Sequence, residues 1–205
     1  MTASDETDHT GGAARRLARL ITEMFSPAIV VVLLPVAVAW PATGHRIGPT
    51  LGWAAVVALF SSVLPMAFII RGAQLGRWDG HHVRNREGRM VPLSLGLVST
   101  AVGLVILLLG GAPRAVVALD WAMLATLGSC LLITRWWKIS LHAAVASGAV
   151  VLLVLFYGPW LLTLAIVVVL VGWSRIELAD HTVAQVLAGM VIAPVLGGVV
   201  FALLR

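Results

Sequence analysis

The 205-residue chain has one cysteine, one tyrosine, one lysine and nine carboxylates, and only 11% of its residues are charged. A lone Cys130 excludes an intrachain disulfide, a Cys-based zinc site and a dithiol redox pair. The shortage of charge excludes a water-soluble chain, since soluble domains carry about 25% charged residues. Hydrophobic residues make up 60% of the sequence, and a mean hydropathy of +1.01 is spread along nearly all of it. Residues 1–23 form the one sizeable polar stretch, so a soluble enzyme on a single anchor is excluded as well. Thirteen arginines and one lysine raise the formal charge to +5, but bilayer-length apolar runs separate them. No continuous basic surface is left for DNA or RNA, and nucleic acid is excluded as a partner.

What is present is a series of apolar runs. A span needs about 20 apolar residues, and seven candidates fall at residues 25–41, 51–71, 91–110, 115–134, 140–157, 160–173 and 182–203. The expected fold is therefore all-α, a polytopic membrane bundle of about seven transmembrane helices. Residues 1–24 are expected to be a polar, disordered tail running into a short basic helix, and 25–205 the transmembrane domain. No cleavable signal is expected, because Asp5, Glu6 and Asp8 precede Arg15, Arg16 and Arg19 and no A-x-A-like site follows. Seven of the eight tryptophans fall near predicted span ends, as an interfacial aromatic belt requires. Alternation puts the N-terminus and three polar loops, 71–89, 135–140 and 174–181, on one face with eleven of the 14 basic residues. The positive-inside rule makes that face cytoplasmic, in a multi-pass protein of the cell membrane.

The most informative stretch is Ser174-Arg175-Ile-Glu-Leu-Ala-Asp-His181-Thr-Val-Ala-Gln185, with Gly189 beyond it. A guanidinium binds phosphate oxygens bidentately, and an imidazole is a competent nucleophile toward phosphorus at neutral pH. On a helix beginning near Thr182, His181 and Gln185 lie one turn apart on the same face. A second polar group, Lys138-Ile-Ser140-Leu-His142, opens another span, and an arginine-dense loop, Arg84-Asn-Arg86-Glu-Gly-Arg89-Met-Val-Pro92, precedes a third. The first of these resembles the third motif, S-R-x5-H-x3-D, of the type 2 phosphatidic acid phosphatase superfamily, with Gln185 in the place of Asp. The second resembles the P-S-G-H motif, with only Ser140 and His142 retained. The family's K-x6-R-P is replaced by the arginine loop.

The resemblance implies metal-independent hydrolysis of a lipid phosphate or diphosphate, with no cofactor. It makes His181 the nucleophile and His142 the general acid. Arg175, Arg86, Arg89, Lys138 and Ser140 become phosphate ligands, and Gln185 orients His181. Gln in the Asp position is also similar to dolichyl-diphosphate phosphatases, which points to polyprenyl substrates. Blander roles stand beside these: interfacial snorkelling for Arg175 and His181, a buried span histidine for His142, topology-setting for the loop cations, and a capping box with Thr182 for Gln185. His81-His82 beside Asp79 are adjacent histidines on a loop and are not expected to hold a metal. Asp120 is expected to be solvated near a helix end. Asp79-Gly80-His-His-Val-Arg84 is similar to the opening of the CDP-alcohol phosphotransferase motif, but the downstream carboxylates that would hold a metal pair are absent. The remaining rival is a degenerate family member that binds or moves lipid phosphates.

Overall fold

The computed structural model describes the backbone of residues 4–76 and 86–205, with side chains over 12–76 and 90–205. Among these residues all regular structure is helical. Ten α-helices are described: α1 (Ser4–Met24), α2 (Pro27–Ala42), α3 (Ile47–Ala58), α4 (Leu64–Gln74), α5 (Arg86–Leu109), α6 (Arg114–Thr134), α7 (Leu141–Tyr157), α8 (Ala165–Glu177), α9 (Val183–Ile192) and α10 (Gly198–Leu204). A π-helical turn at Leu59–Val63 joins α3 to α4, another at Ala193–Gly197 joins α9 to α10, and a 3-10 segment at Pro159–Leu164 leads into α8. Pro65 follows the first π turn and Pro194 lies in the second. Each removes an N–H and crowds the carbonyl four residues back, and the wider turn lets the helix continue past it.

Helices occupy all seven stretches expected to span. Five of them are long and apolar enough to cross a bilayer alone: Ile47–Gln74, Met90–Leu109, Arg114–Thr134, Pro159–Glu177 and Val183–Leu204. The helix Pro27–Ala42 qualifies only together with Gly12–Met24, across a bend of 43°. The seventh, α7, is apolar but has 17 residues. At 1.5 Å per residue it covers roughly 25 Å, against a hydrocarbon thickness of about 30 Å. Among the described residues five helices, or six with the bent pair, are long and apolar enough to cross a membrane, against the seven spans expected. The architecture is an all-helical, multi-pass membrane bundle.

Large apolar side chains such as Leu33, Val98, Leu109, Val169 and Leu203 face outward, as lipid-facing positions do. Inside, Leu34, Val38, Ala118, Leu119, Ala122, Leu152 and Phe201 join α2, α6, α7 and α10 in one core. A smaller cluster of Cys130, Ile139, Ala144 and Ala193 lies between α6, α7 and the end of α9. The N-terminal helix begins at Ser4 and is longer than the short basic helix expected. Its described part is held by tertiary packing, which a short helix needs in order to persist: Ile21 joins Ala146 and Val171, with Phe25, Val168 and Trp173 around them. Asp120 is not solvated. It is fully buried within α6, and its Oδ1 accepts a 3.4 Å hydrogen bond from Ser61 of the π turn. The helix starts at Arg114, which carries Asp120 inward from the surface.

Candidate functional site

The helix α8 ends at Glu177, and the chain reverses through Ala179 at φ +55°. The N–H groups of Asp180 and His181 both donate to the Arg175 carbonyl, at 3.1 and 3.2 Å. This closure satisfies a C-terminal carbonyl of α8 and folds His181 back onto Arg175.

The next helix starts at a capping box. Thr182 Oγ1 accepts from the Gln185 N–H at 3.4 Å, and Gln185 Oε1 accepts from the Thr182 N–H at 3.2 Å. The same Oε1 lies 3.1 Å from His181 Nδ1. A backbone N–H can only donate, so the shared atom is the amide oxygen and not the nitrogen. Nδ1 is then the donor, and in the neutral ring the lone pair is on Nε2. The oxygen that completes the capping box is therefore also the atom in contact with the His181 ring, so the two roles the sequence left as alternatives do not exclude each other.

The start of α7 is locked to this turn. Ser140 is its N-cap, with Oγ accepting from the Ala143 N–H at 3.4 Å, and the Ser140 N–H donates to the Gln185 carbonyl at 3.2 Å. Gly189 allows the contact: a Cβ there would stand 2.5 Å from Ser140 O and 3.2 Å from Ala144 N. Only a residue without a side chain lets the two backbones approach so closely. The result is that His142 and His181 line the same cavity.

That cavity, about 310 Å³, is lined by Glu23, His142, Arg175 and His181 and by apolar side chains such as Leu34, Met66, Leu93, Met123 and Leu127. Pro92, from the end of the arginine-dense segment, also lines it. His181, His142 and Arg175 are thus brought together, each less than 9% exposed. Ser140 is fully buried in its capping role, and Lys138 Nζ donates to the Asp180 carbonyl at 2.6 Å. Neither lines the cavity. Arg86 and Arg89 fall in the first turn of α5, with side chains outside the described residues. Asp79, His81, His82 and Arg84 also lie outside them, as does Trp78.

Arg175 is 3% exposed, and its Nη2 pairs with Asp180 Oδ2 at 2.7 Å. Its Nη1 donates to Thr22 Oγ1 at 3.3 Å, and Thr22 Oγ1 is 3.1 Å from Ser174 Oγ. Ser174 spends its one hydroxyl proton on the Val171 carbonyl at 2.7 Å. The direction of the chain follows: Arg175 donates to Thr22, Thr22 to Ser174, and Ser174 to the backbone. Thr22, Glu23 and Asp180 are site residues that the sequence reading missed. Thr22 and Glu23 fall in the segment taken for a tail, and no local pattern links them to Arg175. Asp180 had a signal, a carboxylate five residues after an arginine and next to the histidine, within the variable part of the motif.

No family model, no curated protein and no solved structure matches the chain.

Proposed function

We propose that this chain is an integral membrane lipid phosphatase of the type 2 phosphatidic acid phosphatase kind, acting on a lipid phosphate or diphosphate, polyprenyl lipids included, through a phosphohistidine. The observation that carries the reading is the setting of His181: its Nδ1 lies 3.1 Å from Gln185 Oε1, and Arg175 and His142 line the same cavity. His181 Nε2 attacks phosphorus, the P–N bond forms, and the bond to the leaving oxygen breaks. Protonated His142 delivers a proton to that oxygen. Neutral His142 then takes a proton from water, whose oxygen attacks the phosphohistidine and regenerates His181. Arg175, with Arg86 and Arg89 from α5, balances the charge of the equatorial oxygens. The mostly apolar lining of the cavity, with Arg175 and two histidines in it, suits a lipid that carries a charged head. The full count of seven spans and the cytoplasmic placement of the polar loops belong to the same reading.

A specific observation favours a second reading, a degenerate member that binds or moves lipid phosphates. The guanidinium meant for phosphate is paired with Asp180, and Gln185 brings no charge to His181. Phosphate release from a panel of lipid phosphates in excess EDTA separates the two. The hydrolase reading expects turnover that His181→Ala reduces roughly 10⁴-fold. Binding without release supports the second reading, and turnover that returns only with magnesium refutes the metal-independent mechanism.

A further inference from the structure

A second cavity, about 400 Å³, lies between α1 and the end of α8. Arg15, Arg19, Thr22 and Glu23 line it from α1, and Arg175, Leu178 and Asp180 from the other side. Arg175 and Glu23 also line the cavity that holds His181, so the two spaces share these two residues as a wall. Buried Ala18 and Ile21 seat α1 against the bundle, and spacings of four and three residues place Arg15, Arg19 and Thr22 on one face. Two guanidiniums one turn apart are about 6 Å from each other at their Cβ atoms, a separation from which both can reach one tetrahedral oxyanion. Of the three arginines and two carboxylates in the cavity, Arg175 and Asp180 are paired with each other. Arg15 and Arg19 form no ion pair among the described residues, and Glu23 lines the cavity with them.

We infer that the α1–α8 cavity is a second phosphoryl-binding site, with Arg15 and Arg19 as its ligands and Arg175 as the wall it shares with the reaction site. The oxyanion comes from one of two sources, a phosphoryl group beyond the one attacked, as in a lipid diphosphate, or the headgroup of a surrounding anionic lipid. Naming the first source rests on the hydrolase reading; the site itself does not. It gives the N-terminal helix a ligand-binding role outside the helices that carry the histidines.

The test uses the full chain in nanodiscs of neutral lipid, with a polyprenyl monophosphate and the diphosphate of the same tail. Arg15→Gln/Arg19→Gln should lower the diphosphate-to-monophosphate ratio of kcat/KM by about tenfold or more, the scale of losing charge-assisted bonds to one phosphoryl group. Arg16→Gln removes a charge from the same helix at an exposed position that does not line the cavity, and should keep the wild-type ratio. An unchanged ratio in the double variant overturns the distal phosphoryl group as the source, and an equal fall in Arg16→Gln overturns the inference. Titration with inorganic pyrophosphate is the readout independent of turnover. If neither lipid is hydrolysed the hydrolase reading fails, yet pyrophosphate affinity that is lost in the double variant and kept in Arg16→Gln still supports the site. Absent binding, or equal loss in both variants, overturns it. Repeating the titration with phosphatidylglycerol in the discs separates the sources: competition assigns the cavity to a lipid headgroup, and unchanged affinity assigns it to the distal phosphoryl group of a substrate.

Discussion

Gln185 offers the sharpest test, because a single oxygen meets two donors, the Thr182 N–H at 3.2 Å and His181 Nδ1 at 3.1 Å. Gln185→Ala removes both bonds at once. Losing the reciprocal half of a capping box costs about 1 kcal/mol, which for a chain of this length lowers Tm by about 2–4 °C. Losing the bond that selects the Nδ1–H form of His181 costs a further 1 kcal/mol or so in the transition state, roughly a tenfold fall in kcat. Gln185→Glu retains an acceptor for both donors and adds a negative charge beside the ring. That charge stabilises the imidazolium, so the neutral nucleophile is reached only at higher pH and the acid limb of kcat/KM moves upward. The same carboxylate lies in the first turn of α9, where the helix dipole favours it, and Tm should hold. Differential scanning fluorimetry and a pH–rate profile on the two variants decide the matter. A lowered Tm with unchanged kcat in Gln185→Ala would refute the orienting role, and an unmoved acid limb in Gln185→Glu would refute contact between the carboxylate and the reacting ring.

Gly189→Ala pushes a methyl group to within 2.5 Å of Ser140 O and should cost about 1–3 kcal/mol as overpacking, read as a lower Tm together with lower kcat. A variant that melts and turns over like wild type would show that the α7–α9 contact is looser than described. Thr22→Val deletes the acceptor for Arg175 Nη1 with little change of shape, and should raise KM for a lipid phosphate about tenfold on the scale of a charge-assisted bond; Thr22→Ser should restore it. Equal KM in all three proteins would leave Thr22 with packing alone. Ala179 sits at φ +55°, so Ala179→Val should lower Tm by several degrees because β-branched residues are outliers there, whereas Ala179→Gly should not. Equal melting of both would place the loop in another conformation.

Much of this protein was legible in its sequence because the relevant forces act over short distances. Hydrocarbon obliges every backbone group to bond within its own segment, so apolar runs near Arg114 to Thr134 or Val183 to Leu204 become helices with little help from neighbours. The pairing of His181 with Gln185 and the Thr182 capping box follow from helix geometry over four residues. What could not be read locally depends on which helix lies against which. Thr22 meets Arg175 across 153 residues. Gly189 is needed because α7 crosses there, and Asp120 is buried because the π turn after α3 covers it. Arg175 and Asp180 stand five residues apart in one polar stretch, yet only the reversal through Ala179 turned Asp180 onto the guanidinium. The sequence alone determined the helices, their lipid-facing character and the residue types able to do phosphate chemistry. The tertiary structure decided which of those residues share a cavity, because burial and long-range hydrogen bonds are properties of the packed bundle and of no single segment of it.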